Sequence, residues 1–341
     1  MITNMNLLVT TRCPIMCPQC YCSLNTGHDL PKEKALFWIE EARKNGIWNI
    51  NISGGETLCY QPIIEIVQAI SDAGMTAKIA TSGYGLDKNM YDRLVGAGID
   101  AICISLNGST DEVNSASRNG FKYAIQALEL LKTSGFPKTI LNWVMQDTNS
   151  YDFQEYINLA ERYGVKIIDV ISLKPTSQKE IGHYPTLDQM KYVANCIAKH
   201  KGSTKIIVEL CYSNLLALMG DLPGICNFNC RETNGCTAGK YTISVNADGK
   251  LSPCNHLDYP EEFSSLQEYL RESKVIAELR NVKMVEPCSE CYFEKACSHC
   301  IAINASRGKG IFRGFEECPM QKEGKHLINY KYHNDLNKMR I

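Results

Sequence analysis

The chain has 341 residues, of which 44% are hydrophobic and 21% charged, and its formal net charge is −1. This length favours one large barrel or two domains. A nearly neutral chain has no electrostatic attraction for nucleic acid or for a membrane surface, and no apolar run approaches the ~20 residues that span a bilayer. The start, MITNMNLLVTTR, lacks the features of a signal peptide. We therefore expect a cytoplasmic protein that binds neither nucleic acid nor membrane.

The cysteine content is far above average, with seventeen cysteines in the chain. In a reducing compartment, dense cysteine more often holds metal than forms disulfides. The odd count also excludes complete internal pairing. Metal sites are therefore expected.

The first two thirds of the chain alternate between short β-rich runs and amphipathic helical patterns. The predicted strands are 6–11, 49–53, 77–82, 101–106, 140–145 and 167–173. The runs 187–199 and 205–211 predict a last helix and a last strand. Regular alternation of this kind predicts an α/β fold with a parallel sheet, either a barrel or a doubly wound sheet.

Two features support the helices between these strands. One is the apolar face of the second predicted helix, formed by Ile63, Ile66, Val67 and Ile70. The other is a glycine at the expected end of five helices, namely Gly46, Gly74, Gly98, Gly135 and Gly164.

From about residue 215 the composition changes to one rich in Gly, Asn and Cys. The stretch TISVNADGKLSPC predicts a β-hairpin, with Asp248-Gly249 as its turn. SSLQEYLRESKVIAELR, residues 264–280, predicts a single helix. We expect two domains, 1–214 and 215–341, of which the second is stabilised by its cysteines because it lacks a strong apolar pattern.

The first cysteine motif lies immediately after the first strand. Cys13, Cys17 and Cys20 have the spacing C-x3-C-x2-C, and a loop at this position lies on the carboxyl-end face of a parallel sheet. Three thiolates can hold three irons of a 4Fe–4S cluster and leave the fourth iron open. The alternative is a zinc knuckle, with Cys22 or His28 as its fourth ligand.

A second motif, SGGE at 53–56, follows the second strand. Glycines allow the backbone to approach a ligand closely, and Glu56 can accept hydrogen bonds from an ammonium group. The succession of C-x3-C-x2-C and SGGE resembles the radical S-adenosylmethionine (SAM) superfamily, from residue 5 to roughly 210. The fold that this resemblance implies is a partial (β/α)6 barrel of the TIM type.

The resemblance also implies roles for individual residues. Cys13, Cys17 and Cys20 would ligate the cluster whose open iron is chelated by SAM. The SAM contacts that it implies are Gly54, Gly55, Glu56, Thr81, Ser82, Ser105, Asn107, Arg118 and Leu173. Among them Ser105 and Asn107 would contact the ribose, and Leu173, together with Pro175, would contact the adenine. Ser105 could instead cap a helix and Arg118 could be a surface charge. Gln19 departs from the family, in which the residue before the third cysteine is commonly aromatic.

The C-terminal cysteines resemble the SPASM extension of peptide-modifying radical SAM enzymes. The resemblance implies a first auxiliary 4Fe–4S cluster on Cys230, Cys236, Cys254 and Cys300. It implies a second auxiliary cluster on Cys288, Cys291, Cys297 and Cys318. A zinc ribbon is the alternative, and Cys226 could replace Cys230. Three 4Fe–4S clusters would leave six cysteines without a role, namely Cys22, Cys59, Cys103, Cys196, Cys211 and Cys226.

The function that these resemblances imply is reductive cleavage of SAM to a 5′-deoxyadenosyl radical, followed by oxidative modification of a peptide. The expected product is a C–C or C–S crosslink or a similar change in a ribosomal precursor peptide, made by an oxidoreductase whose electron donor is a flavodoxin or ferredoxin. Because the barrel begins by about residue 6, we expect the precursor peptide to be held by the barrel face, by the SPASM domain or by a separate leader-binding protein. No catalytic base can be named from the sequence.

Two alternatives remain open at this point. One is formylglycine formation, as in the sulfatase-maturating enzymes, which share the cysteine layout. Those enzymes carry an Asp after the third cysteine of the C-terminal set, where this chain has Asn255, and an amide is not a useful base. The other alternative is a non-catalytic iron–sulfur or zinc scaffold.

Overall fold

The structure is a computed structural model. It describes residues 1–20, 27–174, 182–217, 235–257, 259–281, 285–291, 297, 300–305, 310–311 and 314–320. Its centre is a nine-stranded sheet with the strand order β7-β6-β5-β4-β3-β2-β1-β8-β9. The first seven strands are β1 (Asn4–Thr10), β2 (Asn49–Gly54), β3 (Thr76–Thr81), β4 (Ala101–Ser105), β5 (Thr139–Met145), β6 (Ile167–Ser172) and β7 (Lys205–Val208). Each of them is parallel to its neighbours.

Helices follow the strands in the alternation that the sequence predicts. The longer ones are α1 (Lys32–Lys44), α2 (Ile63–Asp72), α3 (Lys88–Gly96), α5 (Phe121–Thr133), α6 (Phe153–Arg162) and α7 (Leu187–Lys199). The shorter ones are α4 (Asp111–Ser115), α8 (Ser213–Ala217), α9 (Leu266–Glu272), α10 (Lys274–Arg280) and α11 (Ile301–Ala305). No helix in these ranges is both long enough and apolar enough to cross a membrane.

The two faces of the sheet differ in chemistry because successive side chains of a strand point to opposite sides. On one side, Met5, Leu7 and Val9 of β1 are fully buried in the large core. The other side, here called the polar face, carries the alternate residues of the same strands. Its members include Asn4, Asn6, Asn49, Asn51, Lys78, Cys103, Ser105, Asn142 and Asp169.

The predicted hairpin joins the barrel sheet. Its strands are β8 (Thr242–Val245) and β9 (Leu251–Ser252), which are antiparallel to each other. β8 also pairs in parallel with β1, so that Ser244 lies opposite Asn6. At the turn, the Gly249 carbonyl accepts a hydrogen bond of 3.1 Å from Trp38 Nε1. The hairpin therefore extends the barrel sheet beyond β1.

The C-terminal part has two kinds of packing. Leu251, Leu266, Tyr269 and Ile276 belong to the large core of the barrel. A separate second core consists of Ala238, Leu257, Leu279, Ile301, Ala302 and Ile311. The predicted boundary between residues 214 and 215 falls within α8. The division into two domains stays a prediction.

The predicted fold class is confirmed, and the first six predicted strands have bounds within two residues of the observed ones. The last strand, predicted over 205–211, ends earlier, at Val208. All five glycines predicted to end helices have positive φ angles. The prediction of one helix over 264–280 is wrong. Ser273 adopts extended backbone angles between α9 and α10, and its hydroxyl accepts a hydrogen bond from Ile276 N. A serine that caps the next helix ends the preceding one.

Candidate active site

The loop that carries Cys13, Cys17 and Cys20 begins where β1 ends and is tied to the segment before α5. Asn119 Nδ2 donates to the carbonyls of Ile15 and Met16 at 3.3 and 3.0 Å. Gln19 N donates to Ser117 O at 3.3 Å. The loop is thus held in place by polar contacts. Sequence reasoning missed Asn119, because its partners are about a hundred residues away.

The thiols of this loop are partly buried. Burial raises the pKa of Cys13, and nearby Glu56 and Cys17 act in the same direction. Backbone hydrogen bonds from Ile15 and Met16 oppose this rise because they favour the thiolate. Amide donors aimed at a sulfur suit a thiolate that binds iron. This part of the loop fits the ligand role predicted for Cys13.

Gly54 and Gly55 lie where β2 meets the start of the cysteine loop. The backbone amides of Gly55 and Glu56 bind the segment where β1 ends. Gly55 N donates to Thr10 O at 2.7 Å, and Glu56 N donates to Arg12 O at 2.8 Å. A Cβ on Gly54 would lie 2.4 Å from Thr10 O, and a Cβ on Gly55 would lie 2.3 Å from Arg12 O. The glycines therefore allow two backbone segments to touch. The sequence suggested only close approach to a ligand.

Glu56 is buried, and its two carboxylate oxygens accept hydrogen bonds from β3 and from its own turn. Oε1 accepts from Thr81 Oγ1 at 2.6 Å and from Leu58 N at 3.2 Å. Oε2 accepts from the Ser82 backbone N at 2.9 Å and from its hydroxyl at 2.5 Å. Desolvation raises the pKa of Glu56, although these hydrogen bonds oppose the rise. The structure thus brings together Glu56, Thr81 and Ser82, three of the predicted SAM contacts.

Asn107 is fully buried after β4, and its side chain has partners within the protein. Its Nδ2 donates to Ser117 Oγ at 2.9 Å, and its Oδ1 accepts from Val144 N at 3.1 Å. These contacts join β4 to β5 and to the segment that holds the cysteine loop. Ser105 is the last residue of β4 and is half-buried on the polar face. Their predicted contacts with ribose stay predictions.

Three buried polar atoms around the cysteine loop have no hydrogen-bond partner in the described part of the chain. They are Gln19 Oε1, Ser53 Oγ and Arg118 Nε. An unsatisfied buried polar atom costs ~1–3 kcal/mol, so each calls for a ligand or water. SAM offers an ammonium group for an acceptor such as Gln19 Oε1, a carboxylate for a cation such as Arg118, and ribose hydroxyls for a hydroxyl such as that of Ser53. The site therefore fits SAM, and sequence reasoning missed Ser53 and Gln19.

Leu173 directly follows β6 and is buried, and its contact with adenine stays a prediction. Pro175 lies outside the described residues.

The predicted auxiliary ligands fall into two groups. Cys236, Cys254 and Cys300 pack against the second core. Cys291 and Cys318 pack against the large core, and Cys288 Sγ accepts a hydrogen bond of 3.3 Å from Phe315 N. Cys297 was predicted for the second set, and the assignment of these cysteines to two clusters stays a prediction. Cys226 and Cys230 lie outside the described residues.

Within the described ranges, no cysteine forms a disulfide. No three Cys, His, Asp or Glu side chains there converge on a site for a single metal ion. The ligands of a 4Fe–4S cluster bind four separate irons and therefore need more space between them. The donor set of soft thiols suits iron–sulfur clusters.

A row of asparagine side chains crosses the polar face towards the hairpin. Asn49 Nδ2 donates to Asn4 Oδ1 at 2.8 Å, and Asn51 Nδ2 donates to Asn6 Oδ1 at 3.3 Å. Asn6 Nδ2 in turn donates to Asn255 Oδ1 at 3.4 Å. Asn255, which follows Cys254, thus borders the polar face with an amide where a sulfatase-maturating enzyme would have a carboxylate.

Comparison with known proteins gives two kinds of match. The family model described as the radical SAM superfamily matches residues 7–181. A PqqA peptide cyclase of Granulibacter bethesdensis is 24% identical over 303 residues, which cover 83% of this chain and 78% of the cyclase.

The fold matches solved structures along nearly the whole chain. SuiB of Streptococcus suis bound to S-adenosylmethionine has a TM-score of 0.75 at 15% identity, covering 93% of this chain and 77% of SuiB. The structure of anSMEcpe with bound AdoMet has a TM-score of 0.74 at 14% identity, covering 99% of this chain and all of that one. The family match spans more than half of this chain and includes both the cysteine loop and SGGE. The chain therefore belongs to the radical SAM superfamily.

Proposed function

We propose that the protein binds a 4Fe–4S cluster through Cys13, Cys17 and Cys20, binds SAM beside it, and oxidatively modifies a peptide. The observation that carries this proposal is the direct backbone contact between the cysteine loop and SGGE at the ends of β1 and β2. When bound and reduced, such a cluster supplies the electron that splits SAM into methionine and a 5′-deoxyadenosyl radical, which removes a hydrogen atom from the substrate.

The residues around the loop would orient SAM by charge. The Arg118 guanidinium, with its unpaired buried Nε, is suited to a carboxylate. The Glu56 carboxylate is fixed by Thr81 and Ser82 and places negative charge near Cys13. That charge would favour an ammonium group beside the open iron. Ser105, Asn107 and Leu173 are proposed for the ribose and adenine side.

A peptide substrate is supported by the relatives and by the polar face. The cyclase relative is named for a peptide, and SuiB has also been solved with the precursor peptide SuiA. Asparagine side chains such as Asn6 and Asn51 lie on the polar face, and amides can pair with the N–H and C=O groups of an extended peptide. We propose a dedicated precursor peptide as the substrate.

The remaining parts of the proposal concern partners and electrons. Two auxiliary 4Fe–4S clusters in the C-terminal part would accept or pass on the electron that the oxidation releases. Cys288, Cys291, Cys297 and Cys318 are proposed for the second cluster. A flavodoxin or ferredoxin would deliver the first electron, and a separate protein would bind the leader peptide. We place these reactions in the cytoplasm, where thiols stay reduced.

Formylglycine formation is disfavoured because Asn255 offers no basic group. His256, the next residue, is a poor substitute, since burial lowers its pKa well below the usual range and Lys174 lowers it further. A general base needs a pKa near the working pH.

The test is anaerobic reconstitution followed by incubation with SAM, a reductant and two peptides. One peptide carries a sulfatase motif, and the other is encoded by a short reading frame beside the gene. We expect 5′-deoxyadenosine and a loss of two hydrogens on the precursor peptide alone. A new aldehyde on the sulfatase peptide would overturn the choice of substrate. SAM cleavage by a Cys13, Cys17 and Cys20→Ala triple variant would overturn the assignment of the cluster.

A further inference from the structure

The sheet of the barrel has two edges, and both lead into cysteines. In the strand order, β7 and β9 are the outermost strands of the described sheet. Cys211 lies in the turn Leu210–Tyr212 directly after β7, and Cys254 lies two residues after β9. The turn is held by hydrogen bonds from Tyr212 N to Glu209 O at 2.8 Å and from Glu209 N to Val170 O at 2.9 Å. Cys211 therefore has a fixed position at one edge of the sheet.

The thiols from the two edges meet. Cys236, Cys254 and Cys300 pack on the second core, and the side chain of Cys211 is hydrogen-bonded to that of Cys300. Cys211 lies near enough to Cys236 and to Cys254 to interact electrostatically with both. Four soft donors from four separate segments thus share one partly buried region.

A buried cation lies beside these thiols. Lys174 Nζ is 2.7 Å from Glu209 Oε2, and its side chain is only 5% exposed. Cys211 and Cys300 lie within electrostatic range of this ammonium group. A fixed positive charge stabilises thiolates, which are the form that binds iron.

We propose that Cys211 is a ligand of the first auxiliary cluster, completing a four-thiolate set with Cys236, Cys254 and Cys300 in place of Cys230. Each thiol gives up its proton as its sulfur–iron bond forms. The barrel itself, through the turn after β7, would then hold the cluster that the C-terminal part builds. This inference rests on the proposed function only in assuming that the cluster is present.

The competing explanation is that Cys211 is a small buried residue without a ligand role. Cys196 provides the comparison, because it is a buried cysteine whose thiol is hydrogen-bonded to Tyr192 on its own helix. What distinguishes Cys211 is its contact with a thiol already predicted to bind iron. Cys196→Ala is therefore a matched control.

The experiment measures iron and sulfide per chain and the Mössbauer spectrum after anaerobic reconstitution. The starting protein carries Ala at positions 13, 17 and 20, so that only auxiliary clusters remain, with about eight irons. We expect Cys211→Ala and Cys211→Ser to lower this to about four irons. Cys196→Ala and Cys230→Ala should keep all eight. The serine variant preserves the size of the side chain at the end of β7, which guards against a folding defect.

Three outcomes would overturn the assignment. The first is eight irons and an unchanged spectrum in either Cys211 variant. The second is a loss of four irons in Cys230→Ala. The third is a loss of all iron in both Cys211 variants, since this shows no selectivity for one cluster. If the starting protein binds zinc instead of iron, the proposal of auxiliary iron–sulfur clusters fails, and the assignment of Cys211 fails with it.

Discussion

The barrel and the C-terminal part are stabilised in different ways. The barrel has one large core that runs through every strand from β1 to β8, with Trp143, Tyr156 and Phe153 among its fully buried side chains. Among the residues that the structure describes, the second core, in the C-terminal part, has six buried members, of which the largest are Leu and Ile. Three cysteines, Cys236, Cys254 and Cys300, pack directly against it. A core of this size stabilises little by itself, so metal bound to these cysteines would be part of the fold in the C-terminal part, whereas in the barrel it would be an addition to a fold that is already stable.

The largest effect should come from removing all metal. We expect the amides of β4 and β5 to keep their protection from hydrogen exchange, while those of α11 exchange at least ~100-fold faster, because metal binding is coupled to local folding. α9 should behave like the barrel, since Leu266 and Tyr269 belong to the large core. Hydrogen-exchange mass spectrometry of loaded and chelated protein measures this. Equal loss of protection in β4, β5, α9 and α11 would contradict the difference between the two regions.

The next effect concerns the contact between β1 and β2 within the barrel. In Gly55→Ala, the new Cβ would meet the Arg12 carbonyl at 2.3 Å, so the cysteine loop must move. We expect the free energy of unfolding to fall by roughly 2–3 kcal/mol, together with a loss of iron from the first cluster. Chemical denaturation and iron analysis check both results.

Gly96 is the matched control for Gly55. It lies in α3 with open space around the position of a Cβ, and Gly→Ala in a helix stabilises by ~0.5–1 kcal/mol. The two substitutions should therefore have opposite signs. If Gly55→Ala keeps its iron and its stability, the barrel tolerates a shifted loop, and the contact between the motifs is not required.

Glu56→Gln should change ligand affinity more than stability. The glutamine would have to turn its NH₂ group toward either the Thr81 hydroxyl or the Ser82 hydroxyl. At that end of the side chain, a donor would then face a donor. The negative charge near Cys13 would also disappear. We expect the Kd for SAM to rise roughly 10- to 100-fold, on the basis of ~1.5–3 kcal/mol for a charge-assisted hydrogen bond. Equilibrium dialysis measures it, with exposed Glu40→Gln as the control. Lost iron with unchanged affinity would make Glu56 purely structural.

The smallest effect concerns Asp169 on the polar face of β6. Burial raises its pKa to about 7, Glu209 acts in the same direction, and Lys174 and Lys78 oppose the rise. Because the folded state holds this proton up to about pH 7 and the unfolded state releases it near pH 4, stability falls as the pH rises through this window.

Asp169→Asn should remove this pH-dependent loss. Between pH 6 and pH 8 the variant should gain ~1 kcal/mol in unfolding free energy relative to the unmodified protein. Denaturation curves at the two pH values measure the difference. Asp188→Asn, whose carboxylate is 81% exposed, should show no such gain. If the unfolding free energies of Asp169→Asn and of the unmodified protein change equally between the two pH values, water reaches this part of the polar face freely.

Local pattern was enough to predict the strands, the cysteine loop and the glycines that end helices. The reason is that each depends on residues within one turn or one strand, such as the spacing of Cys13, Cys17 and Cys20. The break at Ser273 was missed because helical periodicity continues across it, while the cap that causes it is a single hydroxyl.

The contacts that build the site could not be predicted from local sequence pattern. Asn119 reaches Met16 across a hundred residues, and Cys211 meets Cys300 only because the sheet brings its edges together. Such pairs leave no periodic signal in a single sequence. The role of Glu56 as a SAM contact stays a prediction, and its hydroxyl partners Thr81 and Ser82 at the end of β3 could be found only in the structure.

The pairing of β1 with β8 has a consequence for synthesis on the ribosome. More than 200 residues separate the two partners. Translation adds ~5–20 residues per second, so β1 lacks its neighbour β8 for on the order of 10–50 s after it has been synthesised. An unpaired strand edge is a template for wrong partners. The asparagines along β1, together with a chaperone that covers this edge, would decide how much of the newly made enzyme reaches the stage at which clusters can be inserted.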